Sequence, residues 1–247
     1  MLVPSRMGCR AWPKPAFSIP ITESSEGSMR ITLPNGVPAE LAQPSVVDEN
    51  TLGVVLFPDI MGLRPLFDDM CAQLAADHGW VVCAPEPFPG REELSVDERL
   101  GVMADFDDAE LRQTAELAAD ATGCARVVAT GFCMGGMLAF KAAASGRFER
   151  AAGFYGMIRL PETWAGGRLQ QPIKALASPD RCPTLAIIGT ADHFTPTQDV
   201  ADAEALGVVV VSYKGAEHGF VHDASRPAHR ADDAADAWRQ VVAFLES

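Results

Sequence analysis

The chain has no CxxC pair, although it carries six cysteines: Cys9, Cys71, Cys83, Cys124, Cys133 and Cys182. That excludes a zinc knuckle and a thioredoxin-type motif. A chain of 247 residues buries a core without staples, and most of these cysteines stand in apolar runs. Free buried thiols in a reducing compartment are therefore expected. No run of 18 apolar residues occurs, so no membrane span is expected. Residues 1–20 contain four prolines and no apolar core of seven residues, which argues against a cleaved leader and for a cytoplasmic protein. Basic residues are scarce: 20 Lys and Arg face 33 Asp and Glu, for a formal charge of −13. Nucleic acid needs a basic face and is not an expected partner, nor is an anionic membrane. HExxH, a P-loop and a G-x-G-x-x-G in the right context are missing too, so neither a metal nor an organic cofactor is expected.

What is present is ordinary globular material, 48% hydrophobic and 21% charged. Residues 1–27 carry Pro and Ser without period and are expected to form an irregular lead-in, with one domain over 28–247. Short apolar runs at 29–33 and 38–41 flank Asn35-Gly36, a hairpin signal. From residue 53 onward, apolar runs alternate with helical patterns. The runs at 53–57 (GVVLF), 80–84 (WVVCA), 126–130 (RVVAT), 151–155, 185–189 (LAIIG) and 208–212 (VVVVS) read as strands. Helical spacing links Phe67, Met70, Cys71, Leu74 and Ala75, then Leu111, Ala115 and Ala118, then residues 134–145. A last helical face carries Ala231, Ala234, Ala235, Trp238, Val241, Val242 and Leu245. Apolar strands separated by helices predict an α/β fold, a mostly parallel central sheet with helices on both faces. Its ligand edge lies where the strands end.

The sharpest motif follows the run at 126–130. Gly131-Phe132-Cys133-Met134-Gly135-Gly136 matches G-x-Nu-x-G with cysteine in the nucleophile place. The turn between strand and helix is tight, so the flanking residues must be small. The helix N-terminus behind Cys133 favours a thiolate and offers the N–H of Met134 to an oxyanion. The competing reading is a structural cysteine on a glycine-rich βα turn. An acid and a histidine are required later in the chain, in that order. Asp192 follows the run at 185–189, in Gly189-Thr190-Ala191-Asp192-His193-Phe194, and His218 follows the run at 208–212, in Ala216-Glu217-His218-Gly219-Phe220. Singly, such residues are ordinarily turn or solvated side chains. The order of all three, each beyond its own strand, points to an α/β-hydrolase fold with Cys133 as nucleophile, His218 as base and Asp192 as its orienting acid. His193 and His222 compete for the base role or line the pocket.

These three segments together resemble the dienelactone hydrolase (carboxymethylenebutenolidase) family over roughly residues 28–246. The resemblance implies hydrolysis of a small-molecule ester or lactone through a thioester. It implies a second oxyanion donor at the N–H of Ile60 and a cysteine-activating acid at Asp59, where the family carries Glu. It implies cationic groups for a substrate carboxylate, for which Arg64, Arg91 and His222 are the candidates. Residues 159–171, with Trp164, are expected to cap the pocket. The chain is expected to act as a monomer or small homo-oligomer. Two other functions fit the same sequence: a general carboxylesterase or thioesterase of different acyl preference, and a catalytically silent binding protein on this fold.

Overall fold

The computed structural model describes residues 22–23, 28–165 and 167–247. The expected lead-in over 1–27 lies outside them, apart from Thr22–Glu23, which form a short strand, β1. β1 pairs antiparallel with β2 (Ser28–Thr32), and β2 with β3 (Pro38–Ala42), around the Asn35-Gly36 turn. Gly36 has φ +86°, the conformation that turn requires. Six further strands follow: β4 (Leu52–Phe57), β5 (Val81–Pro85), β6 (Arg126–Phe132), β7 (Ala151–Phe154), β8 (Thr184–Gly189) and β9 (Val209–Tyr213). Among the described residues these make one nine-stranded sheet, ordered β1-β2-β3-β5-β4-β6-β7-β8-β9. β3 meets β5 antiparallel, and every pair from β5 to β9 is parallel.

Alternation along the central strands builds two cores. Val55, Phe57, Val81, Cys83, Val127 and Ala129 point into one, against α3 (Asp108–Ala121) and α4 (Met134–Ala142). Val54, Leu56, Val82, Ala84 and Val128 point into the other, against α1 (Pro65–His78) and the C-terminal helix, Ala231–Glu246. Burial on both faces is why these strands read as continuous apolar runs rather than alternating ones. β9 departs from that rule. It ends the sheet, and Val209 is 52% exposed despite its run of valines. Three helices escaped the periodicity reading: α2 (Val96–Val102), α5 (Pro172–Leu176) and α6 (Thr197–Ala205), which makes the C-terminal helix α7. Among the described residues no helix is long and apolar enough to cross a membrane.

Candidate active site

The parallel strands deliver their C-terminal ends to one edge, and the chemistry-bearing residues follow those ends. Asp59 and Ile60 come after β4, Glu86 after β5, Cys133 after β6, Tyr155 after β7, Asp192 after β8 and His218 after β9.

Cys133 is the N-cap of α4, with φ +57° and ψ −119°. A non-glycine residue there is strained, and the surroundings enforce it. A β-carbon on Gly135 would stand 2.0 Å from the carbonyl oxygen of Phe57, and one on Gly131 2.4 Å from the carbonyl oxygen of Gly135. The elbow is thus pressed against the end of β4, which brings the loop with Ile60 beside the start of α4. The Cys133 N–H donates to the Phe154 carbonyl at 3.0 Å, and the Cys133 carbonyl accepts from Met137 at 3.1 Å. Among the described residues, the N–H groups of Ile60 and Met134 have no backbone hydrogen-bond partner.

His218 Nδ1 donates to Asp192 Oδ2 at 2.8 Å. The carboxylate of Asp192 is buried, and its Oδ1 accepts the Phe194 N–H at 2.8 Å. The His218 ring packs edge-on against Tyr155 and Phe194, at centroid distances of 5.1 and 4.8 Å. Its Nε2 is buried without a hydrogen-bond partner. Burial pulls the basicity of His218 down, but Asp192 and the adjacent Cys133 thiol outweigh it and push the pKa up to about 9. The structure therefore brings Cys133, Asp192 and His218 together.

Asp59 stands in the loop after β4, as the family resemblance implies. Its hydrogen bonds go to Arg64, His222 and the Met61 N–H, not to Cys133. Arg64 grips it with two bonds, of 2.7 and 3.0 Å, and His222 Nε2 donates at 2.8 Å. Burial alone would raise the Asp59 pKa, yet these donors hold it well below the usual carboxylate range. Burial lowers the basicity of His222 by more than Asp59 restores it, which favours the neutral ring. A neutral ring with its proton on Nε2 accepts at Nδ1 from the Tyr155 hydroxyl. Tyr155, fully buried at φ +40°, was not singled out from sequence, although it directly follows a strand of the ligand edge.

Arg64 and His222 are not free to meet a substrate anion. Arg64 is committed to Asp59, and the His222 side chain has no exposure. Arg91 sits 3.8 Å from Asp105, in a groove of about 880 Å³ that Cys133, Asp192 and His218 do not line. His193 is exposed, its ring 4.0 Å from that of Phe194. The segment expected to cap the pocket, 159–171, is anchored to the body of the protein at its described residues. Trp164 and Leu169 are buried with Met103, and Arg168 pairs with Asp107 at 2.9 Å.

A strained elbow at the end of a central parallel strand, with acid and histidine beyond two later strands, defines an α/β-hydrolase. The family model for the dienelactone hydrolase family matches residues 37–247, and the chain belongs to that family. It is 29% identical over 190 residues to a carboxymethylenebutenolidase of Pseudomonas sp. strain P51, covering 70% of this chain and 75% of the relative. A Klebsiella pneumoniae crystal structure named as a dienelactone hydrolase superposes with a TM-score of 0.75 at 23% identity, covering 88% of this chain and 97% of that one. A dienelactone hydrolase-like promiscuous phosphotriesterase from metagenomic libraries gives a TM-score of 0.67 at 20% identity, covering 88% and 96%. The protein is a carboxylic ester hydrolase.

Proposed function

We propose that the chain hydrolyses a small ester or lactone with Cys133 as nucleophile and a thioester intermediate. The observation that carries this is Cys133 on its elbow beside a His218 whose other nitrogen is fixed by buried Asp192. His218, its basicity raised by Asp192, takes the Cys133 proton through its free Nε2. The thiolate attacks the carbonyl carbon, and the N–H groups of Ile60 and Met134 receive the oxyanion. On collapse the C–O bond breaks, and His218 hands its proton to the departing alkoxide. Now neutral, His218 takes a proton from water as the hydroxide attacks the thioester. The acid leaves and the thiolate is restored.

Replacing Cys133 by Ala should abolish turnover of an activated ester, and quenched wild-type reactions should show the acyl mass on the peptide that contains Cys133. Wild-type rates in that variant would overturn the reading.

The charge arrangement favours a second reading of substrate range. Arg64 and His222 are both engaged within the protein, which suits uncharged esters better than a carboxylate-bearing lactone. A panel of lactones matched except for a carboxylate separates the two. Preference for the anionic member would sink this second reading while leaving the Cys133 chemistry intact.

A further inference from the structure

The loop that carries Ile60 is held by two buried charged side chains from outside it. Arg99, on α2, is 5% exposed, and Glu86, just past β5, is 3% exposed. Each closes around the backbone of Gly62. A β-carbon there would stand 2.6 Å from Arg99 Nη1 and 2.7 Å from Glu86 Oε1, and Gly62 has φ +72°. Glu86 Oε2 accepts the Leu63 N–H at 2.8 Å, and its Oε1 accepts the Phe88 N–H at 2.8 Å. Arg99 donates through Nε to the Leu94 carbonyl at 2.9 Å, through Nη2 to the Glu92 carbonyl, and through Nη1 to the Ile60 carbonyl at 3.4 Å. Its guanidinium also lies 5.0 Å from the centre of the Phe88 ring.

Burying an arginine and a glutamate carries a desolvation cost, and apolar side chains of similar volume would usually pack the space at least as stably. What apolar residues could not do is hold backbone groups at fixed points. The bond to the Ile60 carbonyl sets the peptide plane on one side of Ile60, and the bond to Leu63 anchors the loop three residues on. These two bonds hold Gly62 from either side, and the Gly62 N–H donates to the Asp59 carbonyl at 3.0 Å; that carbonyl shares a peptide plane with the Ile60 N–H, so the direction of the Ile60 N–H is set through Gly62. That direction matters because an oxyanion donor acts only when aimed at where charge develops.

We infer that Arg99 and Glu86 are positioning residues, which clamp the loop of residues 59–63 so that the Ile60 N–H meets the oxyanion. Neither touches substrate. The inference rests on the Cys133 reading above.

The test separates two reactions of the same thiol. Acylation by an activated ester passes through an oxyanion, whereas alkylation by iodoacetamide displaces iodide at carbon and develops none there. In full-length Arg99→Met, the acylation rate constant should fall about 10- to 100-fold with KM little changed, the scale of a displaced oxyanion donor. Alkylation of Cys133 should stay within about twofold. Arg99→Lys should recover part of the acylation rate, because an ammonium still donates to a carbonyl. If Arg99→Met does not fold, Glu86→Gln carries the same comparison, with a smaller loss because one carbonyl acceptor remains. Acylation equal to wild type, or acylation and alkylation falling together, would overturn the inference. Wild-type protein whose ester hydrolysis survives complete alkylation of Cys133 would instead sink the Cys133 reading itself.

Discussion

A single hydrogen-to-methyl change at Gly135 would place carbon 2.0 Å from the Phe57 carbonyl oxygen and 2.4 Å from that of Pro58. Both obstacles are backbone, so no side chain can turn aside, and the elbow or the end of β4 must move. Gly135→Ala should cost about 3 kcal/mol or more, the upper end of overpacking losses, and remove activity with it. Gly101→Ala is the matched control. It lies within α2, exposed, with nothing within 4 Å of an added β-carbon. It should stabilise by about 0.5–1 kcal/mol. Guanidinium unfolding midpoints of the two variants should move in opposite directions. Tyr155 offers a different kind of residue-scale test. Tyr155→Phe leaves the shape intact but strips His222 Nδ1 of its donor in a fully buried site. An orphaned buried acceptor costs about 1–3 kcal/mol, to be read from the same unfolding curves.

At the scale of elements, α2 joins stability to the site. Ser95 and Glu98 form a reciprocal capping box at its start: the Ser95 hydroxyl accepts the Glu98 N–H and the Glu98 carboxylate accepts the Ser95 N–H. Ser95→Ala should loosen this helix by about 1 kcal/mol. Amide exchange should accelerate across α2 while α4 stays protected, and uniform acceleration through both would show that α2 is not an independent unit. The same helix shows where the sequence was legible. Runs such as GVVLF and RVVAT announced the central strands because both of their faces are buried. Cys133, Asp192 and His218 could be read as a set because the ends of those strands define one edge, whereas Asp59 came only from the family resemblance. The helix α2 passed unnoticed because its seven residues, VDERLGV, offer no helical stripe, although the Ser95-to-Glu98 spacing was a readable start signal. Arg99 and Glu86 left no signal, since they bind backbone groups, and a carbonyl or an N–H has no residue identity for a pattern to match. The partners of Asp59 were obscure for a related reason. His222 lies 163 positions away, and the contact exists only once β4 and the loop after β9 share an edge.

For the whole molecule, the two site histidines oppose each other in pH dependence. His218 titrates at about 9 in the fold against an ordinary 6.5, because Asp192 and Cys133 outweigh its burial. The folded state then binds that proton more tightly than the unfolded chain. Its contribution is present in full below about pH 6.5 and is lost as pH climbs through about 9. His222 is shifted downward by burial, so the unfolded chain binds the proton more tightly there. Its contribution is present above about pH 6.5 and is lost as pH falls below it. Asp59, held low by His222 and Arg64 against its burial, adds to the acid side only near and below pH 4. Stability should therefore peak near neutrality, each histidine tilting its own limb by at most about 1.4 kcal/mol per pH unit. The formal charge of −13 adds a general repulsion that grows with pH, so the comparison must be between variants. Urea unfolding from pH 5 to 9 should show His218→Gln flattening the alkaline limb alone and His222→Gln flattening the acid limb alone. Curves that stay parallel to wild type on both sides would mean that neither ring differs in proton affinity between the folded and unfolded states. The paired arrangement of Asp192 with a charged His218, and Asp59 with a neutral His222, would then be wrong.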